Sequence, residues 1–168
     1  MSEEIINRVS NSVLKVFDLE DYYVPGPRVV IDLKDWLEHE LILREKDFRE
    51  RVKTHNWEQY ESCYVAIYCS TDAIVPDWAY MLIAIALQPH AAYTASGDLV
   101  ALETTLYQNQ LQDLDLTEFK DKPVIIKGCA KKPVPNSAYI MATNLLKPIA
   151  KSIMFGEACS AVPLYKRK

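Results

Sequence analysis

Glycine is scarce in this chain: four of its 168 residues are glycine. Neither the glycine-rich loop of P-loop enzymes nor the Rossmann dinucleotide fingerprint occurs in the sequence. The three histidines, His39, His55 and His90, lack the spacing of metal ligands, and there is no GxSxG, HExxH or CxxC motif. These absences argue against an ordinary nucleotide-binding enzyme and leave the chain without a recognisable catalytic motif.

Features that would direct the chain to a membrane or to nucleic acid are also lacking. The net charge of -4 gives no electrostatic attraction to nucleic acid or to an anionic membrane. No apolar run approaches the ~20 residues of a membrane span. The N-terminus, MSEEIINRVSNSV, is polar and acidic where a secretory signal is basic and then apolar. We therefore expect a cytoplasmic protein with reduced cysteines and no nucleic-acid or membrane partner.

The length and composition predict a single globular domain over residues 1–168. Apolar residues make up 49% of the chain and charged residues 25%, which is an ordinary mixture for a globular protein. A chain of this length can bury a sizeable core.

Part of the chain occurs twice, 59 residues apart. Residues 65–98 align without a gap on residues 124–157, with ten identical pairs. The identities include two prolines that suit helix starts, Pro76 and Pro135, and two that suit helix ends, Pro89 and Pro148. Such a repeat indicates a duplicated structural unit.

The repeat predicts two copies of a strand-helix-strand unit. In the first copy we expect a strand at 64–69, a helix from Pro76 that stops before Pro89, and a strand at 91–95. In the second we expect a strand at 124–127, a helix at 135–146 and a strand at 152–155, with another helix at 99–111 between the copies. This alternation is typical of an α/β fold with a mainly parallel sheet and right-handed crossovers.

The N-terminal part contains two similar stretches, VFDLED at 16–21 and VIDLKD at 30–35. A strong turn signal, Val24-Pro-Gly-Pro27, separates them. We interpret them as the two strands of an antiparallel hairpin that extends one edge of the sheet.

The predicted parallel sheet suggests a site at its carboxyl edge, where parallel α/β folds bind ligands. Three cysteines and three acidic residues follow strands there: Cys69, Cys129, Cys159, Asp72, Asp98 and Glu157. Three thiolates and a carboxylate are able to hold zinc or another thiophilic metal. Cys63 begins its strand and is excluded, because it lies at the opposite edge.

Two other interpretations of these cysteines remain open. Free cysteine is among the most buried residue types, so all three could be small apolar core residues. Alternatively, one thiol could be a redox or nucleophilic group whose pKa is lowered by Lys131 or Lys132.

Three longer stretches resemble a known family. They are CSTDAIVPDWAYMLIA at 69–84, KGCAKKPVPNSAY at 127–139 and FGEACSAVPLYKRK at 155–168. With the predicted opening hairpin and REKDFRE at 44–50, they resemble an uncharacterised bacterial family, the domain of unknown function numbered 2480. The resemblance covers nearly the whole chain and implies no activity and no catalytic residues.

Two functional hypotheses follow. The first is a cytoplasmic protein with a thiol-lined, metal-binding site at the carboxyl edge of the sheet. The second is a non-catalytic interaction or structural domain, with a homodimer as one form and with buried structural cysteines.

Overall fold

The computed structural model describes residues 13–128 and 131–168. The chain forms two compact units. Unit 1 consists of the residues up to Tyr23 together with Leu106–Lys168, and unit 2 is the continuous stretch Val24–Thr105. Each unit has its own cluster of buried apolar side chains.

Helices and strands alternate along most of the described chain, which confirms the predicted α/β class. The strands are β1 (Lys15–Asp18), β2 (Arg28–Asp32), β3 (Tyr64–Tyr68), β4 (Tyr93–Ser96), β5 (Pro123–Lys127), β6 (Ser152–Phe155) and β7 (Val162–Lys166). The α-helices are α1 (Glu45–Thr54), α2 (Asp77–Leu87), α3 (Leu99–Leu111) and α4 (Asn136–Leu146). No helix in residues 13–128 and 131–168 is long and apolar enough to cross a membrane.

Unit 2 is built on a three-stranded parallel sheet with the order β2-β3-β4. Its central strand buries residues 65–67 almost completely, as expected for a strand covered on both faces. Helix α2 buries Ala79, Ile83 and Leu87, which recur every four residues and therefore share one helix face. Full burial of an Ile or Leu side chain contributes about 1.5–3 kcal/mol, so this face anchors the helix.

Unit 1 is built on a four-stranded sheet with the order β1-β5-β6-β7. The first three strands are parallel, and β7 runs antiparallel to β6. Helix α4 buries Ala138, Ala142 and Leu146, at the same spacing as the buried face of α2. The two units therefore share one plan, except that unit 1 carries an added strand at its edge.

The sequence repeat corresponds to two strand-helix-strand units, β3-α2-β4 and β5-α4-β6. Each helix begins directly after its proline, Pro76 or Pro135, as the sequence predicts. Gly97 and Gly156 close the two copies with φ of 113° and 110°. In both copies the glycine N–H donates to the carbonyl oxygen of the fourth residue of the central strand, at 2.9 and 3.0 Å.

The duplication extends to the first strand of each unit. Strand β1 pairs with β5 so that Asp18 lies beside Lys127, and β2 pairs with β3 so that Asp32 lies beside Tyr68. Tyr68 and Lys127 are equivalent positions of the repeat, 59 residues apart. The duplicated structure is therefore a three-stranded unit, and the copy in unit 2 is inserted after the first strand of the copy in unit 1.

The predicted N-terminal antiparallel hairpin is wrong. Both stretches form strands, but β1 pairs in parallel with β5 and β2 pairs in parallel with β3, in separate sheets. The Pro-Gly-Pro signal at 25–27 marks a break between elements, and here the chain leaves unit 1 for unit 2. The similarity of the two stretches reflects their equivalent places in the duplication.

Candidate functional site

The carboxyl end of the sheet in unit 2 is organised by Asp32. Its Oδ1 accepts hydrogen bonds from the backbone N–H groups of Lys34 and Ser70, both at 3.1 Å. The first bond starts a 3₁₀ helix at Leu33–Trp36, and the second attaches the loop that follows β3. Burial acts to raise the pKa of Asp32, but the hydrogen bonds from Ser70 and Lys34 outweigh it and lower that pKa. Asp32 is thus an ionised residue that positions the loop.

Cys69 lies at the start of this loop and is half-buried. Its Sγ is 3.4 Å from Oγ1 of Thr71, and that hydroxyl donates its hydrogen to the carbonyl oxygen of Glu40 at 2.8 Å. Because a hydroxyl has one hydrogen, the Cys69 thiol must be the donor in the first contact. The Cys69 side chain also packs against the core of unit 2.

The carboxyl end of the sheet in unit 1 has the same aspartate turn, but here the aspartate also pairs with a lysine. Oδ1 of Asp18 accepts from the backbone N–H of Glu20 at 3.0 Å, and its Oδ2 is 3.0 Å from Nζ of Lys127. Oε1 of Glu20 accepts from the backbone N–H of Lys131 at 2.8 Å. A pocket of about 190 Å³ lies here and is lined by Asp18, Glu20, Lys127, Gly128, Lys131 and Glu157.

Two charged groups of this pocket, Asp18 and Lys127, form an ion pair. The hydrogen bond with Asp18 is the largest cause of a raised pKa at Lys127, and the charges of Asp18 and Glu157 act in the same direction. A protonated lysine is neither a nucleophile nor a base. Asp18 and Lys127 therefore form a structural ion pair at the ends of β1 and β5.

The six predicted metal ligands are divided between the two units. Cys69, Asp72 and Asp98 belong to unit 2, whereas Cys159 and Glu157 belong to unit 1. Cys129 lies outside the described residues. The premise that these residues follow strands of one sheet is wrong, because β3 and β5 belong to different sheets.

The individual ligand candidates have the following surroundings. Asp98 accepts a hydrogen bond from the backbone N–H of Ala101 at 2.9 Å and so caps α3. Asp72, Glu157 and Cys159 are exposed. Cys63, which the sequence excludes, is buried directly before β3. Within residues 13–128 and 131–168, no three His, Cys, Asp or Glu side chains are grouped closely enough to hold a metal ion. The metal site stays a prediction, since Cys129 is not among those residues.

Sequence reasoning misses Asp18, Asp32 and Lys127, which organise the two carboxyl ends. The signal that could identify the two aspartates is the Asp-Leu pair at the end of both β1 and β2. In each unit the leucine is fully buried and the aspartate accepts from the backbone two residues later. This is an Asx turn, and it explains why the pair is repeated.

A different surface distinguishes unit 2 from unit 1. Strand β4 is an edge strand, and no strand of the described chain pairs with its outer side. The equivalent strand in unit 1, β6, is covered on that side by β7. We call β4 and the adjoining outer face of α2, with Met81 and Ile85, the β4 edge surface.

Helix α2 exposes more apolar area at this surface than α4 does in the equivalent place. Met81 and Ile85 are 63% and 65% exposed. The equivalent residues of α4 are Ile140, also 63% exposed, and Asn144. Unit 2 thus presents an isoleucine where unit 1 presents an amide.

Two adjoining grooves run between α2 and β4. The larger is about 480 Å³ and is lined by Ala84, Ile85, Leu87, Gln88, Ala91, Ala92, Tyr93 and Thr94. The smaller is about 180 Å³ and is lined by Ile67, Tyr80, Met81, Ala84, Thr94, Ala95 and Ser96. No lining residue of either groove carries a formal charge at neutral pH, although the chain as a whole is acidic.

Comparison with curated proteins and with solved structures finds no significant match. A family model does match, over residues 3–167, and its description is "Protein of unknown function (DUF2480)". The chain therefore belongs to this family.

Proposed function

We propose that this protein is a non-catalytic interaction domain that works as a homodimer through the β4 edge surface. The observation that carries the proposal is the difference between the two copies of the duplicated unit. In unit 1 an added strand covers the edge, whereas in unit 2 the same edge is open beside the exposed Met81 and Ile85. Exposed apolar surface next to an open strand edge is typical of a protein–protein contact.

The polar groups at the carboxyl ends of the sheets favour interaction over catalysis. Asp18 and Lys127 are paired with each other, and Asp32 is held by two backbone N–H groups. Cys69 is engaged as a hydrogen-bond donor. These contacts give all four side chains a structural role, so none of them needs a catalytic role to explain its position.

A second copy of the chain is the partner that the charge distribution favours. The chain carries a net charge of -4, so two copies repel each other overall. The two grooves of the β4 edge surface have no charged lining residues, so two such surfaces can meet without burying like charges. The same lack of basic side chains supports the prediction that nucleic acid is not the partner.

The proposal includes the predicted cytoplasmic location. Among the described cysteines, Cys63, Cys69 and Cys159 are free thiols, which is the usual state in a reducing compartment.

Sedimentation equilibrium of the whole chain tests the proposal. We expect the native protein to approach twice the chain mass of 19.2 kDa as its concentration rises. Ile85→Asn gives α2 the residue that unit 1 has at the equivalent position. Loss of about 2 kcal/mol of apolar burial from each copy should raise the dimer Kd roughly 10³-fold.

Ile140→Asn is the matched control, because it removes an isoleucine that is similarly exposed on α4. It should leave the Kd unchanged. A native chain that stays monomeric at every concentration contradicts the proposal, as does equal weakening by the two variants. Stoichiometric zinc in untagged protein that is lost in Cys129→Ser would instead support the metal-binding hypothesis.

A further inference from the structure

We infer that the two copies join by antiparallel pairing of β4 with β4, so that two three-stranded sheets become one six-stranded sheet. This inference rests on the proposed homodimer and specifies how it forms. The molecule contains its own precedent, since β7 pairs antiparallel with β6 at the equivalent edge of unit 1. In that pairing Ile153 lies opposite Tyr165, and Ile153 is the equivalent of Thr94 in β4.

The backbone of β4 presents hydrogen-bonding groups to an incoming strand. The N–H of Gly97 donates to the carbonyl oxygen of Ile67 in β3. Because backbone groups alternate along a strand, the N–H and C=O groups of Ala95 also face β3, and those of Thr94 and Ser96 face outward. Strand β4 has no pairing partner on that outer side among the described residues. Thr94 and Ser96 therefore offer two donors and two acceptors at the open edge.

A two-fold axis that passes through Ala95 satisfies these groups in both copies. It places Thr94 of one copy opposite Ser96 of the other, and the reverse, as two hydrogen-bonded antiparallel pairs. Such a contact is isologous, so it closes at two chains and does not continue into a filament.

The same axis brings the two α2 helices together. It is perpendicular to the sheet, so both helices lie on the same face and run antiparallel to each other. Met81 and Ile85 of one copy then approach the same residues of the other across the joined edge. Because β4 has only four residues, its ladder is short, and burial of the α2 face must supply most of the binding free energy.

Proline at Thr94 tests the strand pairing directly. Thr94→Pro removes an outward N–H that the ladder of unit 2 does not use, and proline is tolerated where the N–H of an edge strand faces solvent. Thr94→Ala keeps the N–H and is the matched control. We expect the proline variant to raise the dimer Kd at least tenfold relative to the alanine variant, with the same far-UV circular dichroism and unchanged cooperativity of unfolding.

Ser96→Pro provides a second test of the same ladder and should have the same effect. If either proline variant is folded and dimerises as tightly as Thr94→Ala, β4 pairing is overturned. If those variants still dimerise but Ile85→Asn does not, the homodimer stands and its proposed geometry fails. A native chain that is monomeric overturns both proposals.

A cysteine placed at Ala95 tests the position of the axis. At a two-fold axis the two Ala95 residues form a non-hydrogen-bonded pair with Cα atoms about 4.5 Å apart, which is within disulfide range. In a Cys129→Ser, Cys159→Ser background, Ala95→Cys should form a cross-linked dimer under mild oxidation, and Ile140→Cys should not. Equal cross-linking of both variants, or none at Ala95, contradicts this axis.

Discussion

Asp32 shows how one carboxylate can connect two strands of a parallel sheet. It lies at the end of β2 and accepts hydrogen bonds from Lys34 on its own side and from Ser70 after β3. Its equivalent in unit 1, Asp18, accepts from Glu20 in the same way but uses its second oxygen for Lys127. The duplication has thus kept the turn and changed the cross-strand partner.

The lowered pKa of Asp32 predicts a specific dependence of stability on pH. The folded state holds the charged form more strongly than the unfolded state, whose pKa is near the ordinary value of 3.8. Its contribution is therefore complete above that value and is lost as the pH falls through the lower, folded pKa. Asp32→Asn keeps an acceptor oxygen but removes the charge, and should lower the free energy of unfolding at neutral pH by about 1 kcal/mol.

Urea denaturation of native and Asp32→Asn protein at several pH values measures this effect. The difference between them should be constant near neutral pH and should shrink in acid. Asp72→Asn, in an exposed part of the loop after β3, is the control for removal of one charge. A difference that is the same at acid and neutral pH would contradict the assigned role.

The turns at Gly97, after β4, and at Gly156, after β6, allow a comparison within one molecule. Both glycines have φ near 110°, a conformation that L-residues rarely adopt. A Cβ at Gly97 would lie 2.6 Å from Cβ of Ala101, whereas at Gly156 the nearest atom is the carbonyl oxygen of Ser160 at 3.5 Å. The backbone strain is therefore shared, and the steric overlap is confined to Gly97.

Gly97→Ala should consequently destabilise the protein more than Gly156→Ala. Each variant should lose at least about 1 kcal/mol from the positive φ, and Gly97→Ala about 1–3 kcal/mol more from overpacking. Thermal unfolding of the two variants under identical conditions measures the order. If Gly156→Ala is the less stable, the geometry of these turns does not control their stability.

The path of the chain through both units predicts that they unfold together. Unit 1 is assembled from both ends of the chain, and the boundary with unit 2 falls inside α3, between Thr105 and Leu106. Loss of the first half of α3 would fray the second half, because helices propagate cooperatively. The second half carries Leu106, Tyr107 and Leu111, all buried.

The single domain predicted over residues 1–168 should therefore unfold in one transition. Calorimetry is best done on Ile85→Asn, so that dissociation of a dimer does not contribute. We expect equal calorimetric and van't Hoff enthalpies, with a total of roughly 120 kcal/mol near 60 °C. Two resolved transitions would show that the units are separate domains.

The sequence alone determined the features that depend on neighbouring residues. The starts of α2 and α4 follow from Pro76 and Pro135, and the repeated Gly97 and Gly156 mark turns of one kind. The α/β class follows from the alternation of short apolar runs with helical periodicity. Proline, glycine and periodicity act over a few residues, so each can be interpreted without knowing the rest of the fold.

Only the tertiary structure decided which strands are neighbours. Strand pairing in turn decided which residues meet at the carboxyl ends of the sheets. Lys15 pairs with Val124, more than a hundred positions away, and nothing local distinguishes that partner from Arg28 in the nearby β2. Backbone hydrogen bonds are the same for every strand pair, so the choice is made by the packing of whole faces. Strand choice placed Cys69 and Cys159 after strands of different sheets and gave Asp18 its partner Lys127. It also left the edge of β4 open, whereas β7 covers β6.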